Sequence, residues 1–218
     1  AQTNAEHARL RAEHAARLRR KDNLTLAQAR ANAYQPDWAT ALIDAPQRLG
    51  VQSVAIPLAA LTPFIDWTPF FQSWELKGKY PGIFEHPAYG AEARRLFDDA
   101  QALLNQIVTE ELLTARAVFG IFPANAVGDD IALHHEGETC MLHTLRQQGV
   151  KGDGLPNLAL ADYIAPQGCG RTDYLGAFVV TAGLGLEALV ARFEAVHDDY
   201  SAILAKALAD RLAEAAAE

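Results

Sequence analysis

The chain has 218 residues, a mass of 23.6 kDa and a formal net charge of −8. Half of the residues are hydrophobic and 21% are charged, an ordinary globular composition that can bury a core without a metal or disulfide framework. Only two cysteines are present, Cys140 and Cys169, which excludes a disulfide scaffold and a zinc site of clustered cysteines; no apolar run approaches the roughly 20 residues of a membrane helix.

Charge is unevenly placed. Residues 1–30 carry seven Lys or Arg and three Asp or Glu, a balance of +4, which leaves −12 for the rest of the chain. A body this acidic lacks the broad basic face that a phosphate backbone requires, so nucleic acid is not an expected partner. The first thirty residues are polar and read as no signal peptide. The sole methionine is Met141, so the chain is expected to be processed or a piece of something larger.

In chain order, residues 5–21 are rich in Ala, Arg and Glu and predict a helix with a thin apolar stripe, Leu10 and Leu18 among alanines. Asn23 and Thr25 are candidate caps for a second helix over 25–33. Pro36 and Pro46 bracket a connecting stretch, and residues 1–46 read as an arm leading into a body over 47–218. The densest aromatic run, residues 65–84, reads mainly as core filling, because Trp and Phe bury the most area. Asp66 is its exception: a carboxylate there caps the turn at Thr68–Pro69, is paired, or faces a ligand. Residues 88–112 predict an amphipathic helix, with Ala93, Leu96, Phe97, Ala100, Leu103, Leu104 and Ile107 on one stripe.

Strand signals follow. Residues 117–122 predict a short strand ended by Pro123, residues 128–133 a turn into a second strand, and residues 175–183 a third. Residues 149–156 read as a glycine-rich loop, and 158–165 is ambiguous between strand and helix. Residues 186–218 predict one long helix with Phe193, Val196, Tyr200, Ile203, Leu204, Ala207, Leu208 and Leu212 on one side. The expected class is α+β, a central antiparallel or mixed sheet surrounded by helices.

Candidate chemistry is sparse. His134, His135 and His143 lie near Asp129 and Asp130, but adjacent strand residues point to opposite faces, so His134 and His135 cannot share one ion and no metal site is expected. No dinucleotide, P-loop or serine-elbow motif is present. Cys169, between two glycines, is a candidate exposed thiol with Arg171 nearby. Near the C-terminus, Lys206 can offset Asp210 and Arg211 can pair with Glu214. That group reads either as a solvated face or as a carboxylate–guanidinium edge facing an amino ligand.

Six blocks in one order carry a resemblance: 65–84, 120–131, 145–148, 160–166, 173–183 and 197–215. Together they resemble the activation domain of cobalamin-dependent methionine synthase, and residues 8–38 resemble the segment that joins the cobalamin domain to it. The resemblance implies an α+β module that binds S-adenosylmethionine. When the cobalamin of a neighbouring domain has been oxidised, an electron from flavodoxin or an equivalent reductase and the methyl group of S-adenosylmethionine restore it. It implies a cytoplasmic methyltransferase component with no catalytic residues of its own in this part. Residue by residue, it implies that Asp66, in IDWTPFF, and Glu214, after ALADRLA, contact S-adenosylmethionine, with Asp210 and Arg211 in supporting roles. The family continues to an Arg-Pro-x-Pro-Gly-Tyr-Pro segment that this sequence lacks. The chain is therefore expected to be a C-terminally truncated activation domain, inactive alone, weak in ligand binding and prone to self-association. The alternative is a structural or docking fragment with little ligand binding.

Overall fold

The computed structural model describes residues 2–19 and 23–218. They form two compact units: residues 1–50 with 121–176, and residues 51–120 with 177–218. Among the described residues there are seven α-helices and five strands. The strands are β1 (Gly50–Ile56), β2 (Thr114–Val127), β3 (Asp130–His135), β4 (Glu138–Leu142) and β5 (Asp173–Leu184). They hydrogen-bond in the order β1-β2-β3-β4, and β5 also pairs with β2. The β2–β3 and β3–β4 pairs are antiparallel, in line with the α+β class.

In the first unit, α1 (Gln2–Arg19) is a polar helix whose residues 5–15 are exposed. The helix α2 (Leu26–Ala31) opens on Thr25, whose hydroxyl accepts from the Gln28 amide while the Gln28 side chain accepts from the Thr25 amide. This capping box satisfies two donors that the helix itself cannot. Only Ala29 of α2 is buried, so polar contacts hold the expected arm to its unit. Leu24 N–H donates to the Gln148 carbonyl, and Asn157 N–H donates to the Asn32 carbonyl. The small core of this unit is Ala124, Ala126, Ile131, Ala161 and Ile164.

The β2–β3 hairpin turns over Gly128–Asp129, with Val127 opposite Asp130. Gly128 has φ +64°, the left-handed conformation that the first central position of such a turn favours. One expectation is corrected here. Pro123 does not end a strand: β2 runs through it to Val127. The register with β3 starts one residue later, at Ala124, so the missing Pro123 N–H interrupts no β2–β3 pair. Residues 138–142, which carry no strand signal, form β4 against β3, and all five are exposed. The ambiguous 158–165 stretch is a 3₁₀ turn over Leu160–Tyr163.

The second unit holds the larger core. α5 (Gly90–Thr109) buries Ala93, Leu96, Ala100, Leu103, Leu104 and Ile107 of the stripe expected from its periodicity, and the stripe's Phe97 is half-buried. Against it pack Trp67, Phe70 and Phe71 of α4 (Trp67–Ser73). Trp67 meets Phe97 edge-on with ring centroids 4.9 Å apart, and Phe71 meets Phe84 at 5.9 Å. Gly90 allows the α5 start to approach this cluster, because a Cβ there would collide with the Phe84 carbonyl. α3 (Leu58–Leu61) adds Leu58 and Leu61 to the core.

The expected single helix over 186–218 is two: α6 (Leu186–Glu194) and α7 (Asp199–Ala215). The break is chemical. His197 sits at φ +58°, and the Asp198 carboxylate caps α7 by accepting from the Ser201 amide at 3.0 Å. Val196, Tyr200 and Ile203 of the expected stripe are exposed, and α7 buries Ala202, Leu204, Ala205, Leu208, Ala209, Arg211, Leu212 and Ala215.

Candidate functional site

Asp66 and Glu214 both lie in the second unit, Asp66 just ahead of α4 and Glu214 on α7, two helices that pack against each other. Asp66 is the N-cap of α4, and its Oδ1 accepts from the Thr68 amide at 2.9 Å. The capping possibility raised by the sequence is therefore realised. Asp66 remains exposed, and its Oδ2 takes part in no hydrogen bond among the described residues. The cap occupies one oxygen and leaves the other available.

Glu214 is built differently. Arg211, three residues earlier on α7, sends Nη1 to Glu214 Oε2 at 2.6 Å and Nη2 to Oε1 at 2.8 Å, while Nη2 also donates to Asp210 Oδ2 at 2.7 Å. The Arg211 side chain is 9% exposed, whereas those of Asp210 and Glu214 are 69% and 62% exposed. Burial alone would push the Arg211 guanidinium toward neutrality, but its bonds to Asp210 and Glu214 outweigh that and raise its pKa. The result is a pair of outward carboxylates held by a buried cation. Each Glu214 oxygen has accepted one N–H and keeps acceptor capacity. Lys206 forms a loose ion pair with Glu194, at 3.9 Å, and the offset of Asp210 comes from Arg211.

Asp66 and Glu214 share no hydrogen bond with each other. As hydrogen-bond acceptors, two exposed carboxylates with spare lone pairs suit an ammonium group or a pair of sugar hydroxyls, through charge-assisted hydrogen bonds.

The histidines separate as their strand positions predict. His134 Nδ1 meets Thr139 Oγ1 at 3.0 Å, His135 packs edge-on against Phe122, and His143 Nδ1 lies 2.9 Å from Asp130 Oδ2. The hydrogen bond to His143 holds the Asp130 carboxyl below its ordinary range. Among the described residues no group of three His, Cys, Asp or Glu side chains could hold a metal ion. Cys140 and Cys169 are exposed free thiols, and Cys169 Sγ lies 3.7 Å from the Arg171 carbonyl.

A polar cluster in the first unit was not singled out from the sequence. Arg146, 3% exposed at its side chain, donates from Nη1 and Nη2 to Asp162 at 2.8 and 2.6 Å, from Nε to Asp129 at 2.8 Å, and from Nη1 to the Asn157 carbonyl at 2.6 Å. Asp162 above all, with Asp129, raises the Arg146 pKa. Arg146 lies in a polar LRQQ run, where no periodicity or motif separates a buried arginine from a solvated one.

Comparison with known proteins adds the remaining observations. The family model "Vitamin B12 dependent methionine synthase, activation domain" matches residues 57–218. A crystal structure described as the MetH reactivation domain bound to AdoHcy is similar, with 48% sequence identity and a TM-score of 0.84. The match covers 89% of this chain and 61% of that one, so this chain spans less than two thirds of that relative.

Proposed function

Because the chain belongs to the vitamin B12 dependent methionine synthase activation-domain family, we propose that it binds S-adenosylmethionine and serves as the reactivation module of a cobalamin-dependent methionine synthase. The observation that carries this reading is the 48% identity to a reactivation domain whose structure was solved with AdoHcy. AdoHcy is what remains of S-adenosylmethionine after its methyl group has left, so a site that holds one suits the body of the other. S-adenosylmethionine carries an electrophilic methyl group on a sulfonium; the corrinoid of a neighbouring domain would supply the cobalt acceptor, the reductase would supply the electron that the oxidised cobalt lacks, and AdoHcy would be the leaving product.

This chain's residues bind and orient. Asp66 offers Oδ2 beside its capping bond, and Glu214 offers a carboxylate whose rotamer is held by Arg211. Both attract the ligand's ammonium or order its ribose hydroxyls. Neither residue exchanges a proton in this scheme, and no residue of this chain acts as a nucleophile. The partners in the proposal are the cobalamin domain of the same enzyme and a low-potential reductase such as flavodoxin. No described helix is long and apolar enough to cross a membrane. Two free exposed thiols suit the reducing cytoplasm that the proposal requires.

Calorimetric titration of this chain with S-adenosylmethionine, with AdoHcy as competitor, tests the reading. Saturable one-to-one binding displaced by AdoHcy is expected. Absence of saturable binding to folded protein overturns it in favour of a docking fragment.

A further inference from the structure

The first unit contains a cavity of about 490 Å³ that Asp66, Arg211 and Glu214 do not line. Its volume falls within the ~300–1,000 Å³ typical of small-molecule sites. Most of its wall is apolar and much of it flat: Tyr34, Pro36, Trp38, Ile164 and Pro166. Tyr34 is exposed on this wall and lies against Tyr163, with ring centroids 5.7 Å apart.

Four charged side chains complete the lining, and three of them are occupied by one another. Asp162 receives both terminal nitrogens of Arg146, Asp129 Oδ1 receives Arg146 Nε, and Asp129 Oδ2 receives Arg30 Nε at 2.8 Å. Arg30 is different. Among the described residues only its Nε is bonded, its two terminal nitrogens have no partner, and its side chain is 57% exposed. The bond to Asp129 restrains the guanidinium, which leaves the terminal edge as a preset pair of donors. Two parallel N–H groups match a carboxylate.

We infer that this cavity is a second ligand site, one that takes a flat aromatic carboxylate. The carboxylate sits on the terminal edge of Arg30, and the ring lies against Tyr34 and Trp38. The four lining charges sum to zero, so binding rests on directional hydrogen bonds and ring burial, and its salt dependence is shallow. The inference is independent of S-adenosylmethionine binding, which involves the other unit.

The probe is 2-naphthoate, titrated into the full chain by calorimetry and ligand-observed NMR, with 2-naphthamide as its neutral counterpart. Saturable one-to-one binding with a dissociation constant below about 1 mM is expected, with the amide at least about tenfold weaker. Arg30→Gln should weaken naphthoate binding at least about tenfold and leave amide binding nearly unchanged. Tyr34→Ala, at an exposed position that does not endanger folding, should weaken both ligands several-fold. Arg30→Gln removes a contact of α2, so circular dichroism accompanies it, and Tyr34→Ala decides alone if that variant is misfolded. The inference is overturned if naphthoate does not saturate, if the amide binds equally well, or if Tyr34→Ala binds as the parent does.

Discussion

Arg211 grips both oxygens of Glu214 across one turn of α7, at 2.6 and 2.8 Å, with its own side chain buried and the carboxylate facing out. A carboxylate on a flexible exposed side chain ordinarily loses rotamer freedom when it binds a ligand. Here a buried guanidinium has already restricted it.

Replacing Arg211 should therefore have two separable effects. Arg211→Met keeps much of the buried volume and removes the donors, so stability should fall by about 1–3 kcal/mol in urea unfolding. Affinity for S-adenosylmethionine should fall as well, because Glu214 is released. Glu214→Gln leaves Asp210 to pair with Arg211 and should cost less than about 1 kcal/mol of stability, since the lost pair is largely exposed on the Glu214 side. If Glu214→Gln binds S-adenosylmethionine as the parent does, the ligand role of Glu214 fails.

Asp66 carries a capping role and a proposed binding role, and two substitutions divide them. Asn caps helices about as well as Asp, so Asp66→Asn should change stability by under about 0.5 kcal/mol, whereas Asp66→Ala should lose about 0.5–2 kcal/mol. Removal of the charge by Asn should weaken S-adenosylmethionine binding by roughly 1.5–3 kcal/mol, the range for a hydrogen bond to a charged group. Unchanged calorimetric affinity in Asp66→Asn would leave the cap as the residue's whole role.

The Arg30–Asp129–Arg146 arrangement sets an acid limit. Burial pushes the Asp129 carboxyl up, but hydrogen bonds from Arg30 and Arg146 outweigh it and hold its pKa below the ordinary value. A carboxyl depressed in the folded state stabilises above its unfolded pKa, near 4, and that stability disappears as pH falls through the folded value. Denaturant midpoints measured from pH 6 to pH 2 should drop steeply below about pH 4. Asp129→Asn should start from a lower midpoint and fall less steeply over that window. Identical slopes would assign the acid transition to other carboxylates.

Tyr200 sets an alkaline counterpart. Partial desolvation first, with the hydrogen bond its hydroxyl donates to Asp99 at 2.8 Å, pushes its pKa up to about 12, although the residue is 41% exposed. A raised pKa on a neutral phenol means that stability is fully present below the unfolded value, near 10, and is lost as pH rises toward 12. Ultraviolet titration should show a late phenolate step that Tyr200→Phe removes. Retention of that step in the variant would contradict the assignment.

His197 holds a left-handed backbone at the junction of α6 and α7 while its side chain is exposed. His197→Gly should raise stability by up to about 1 kcal/mol, because glycine adopts positive φ without a Cβ penalty. Gly185→Ala should do the opposite: Gly185 has φ +100°, and an added Cβ would lie 2.7 Å from the Leu112 carbonyl. Thermal melts of the two variants should shift in opposite directions.

Local signals sufficed where one element's own residues decide its structure. The α5 stripe repeats at helical spacing and is buried as read; Thr25 with Gln28 makes its capping box within four residues; and the ordered blocks from IDWTPFF to ALADRLA identify the family. Tertiary structure decided what depends on partners far along the chain. β4 is a strand because its backbone pairs with β3, although its exposed side chains carry no alternation. β2 passes Pro123 because its register with β3 starts at Ala124. The helical periodicity of 186–218 does not resolve the turn at His197, since the apolar spacing continues across a change of direction set by backbone dihedrals and the Asp198 cap. Arg146 and Arg30 look alike as letters. One is buried because Asp129, Asp162 and the Asn157 carbonyl surround it, while the other lines a cavity and, among the described residues, bonds only through Nε. A charged side chain's role follows from which oxygens reach it, and those oxygens come from residues up to 99 positions away.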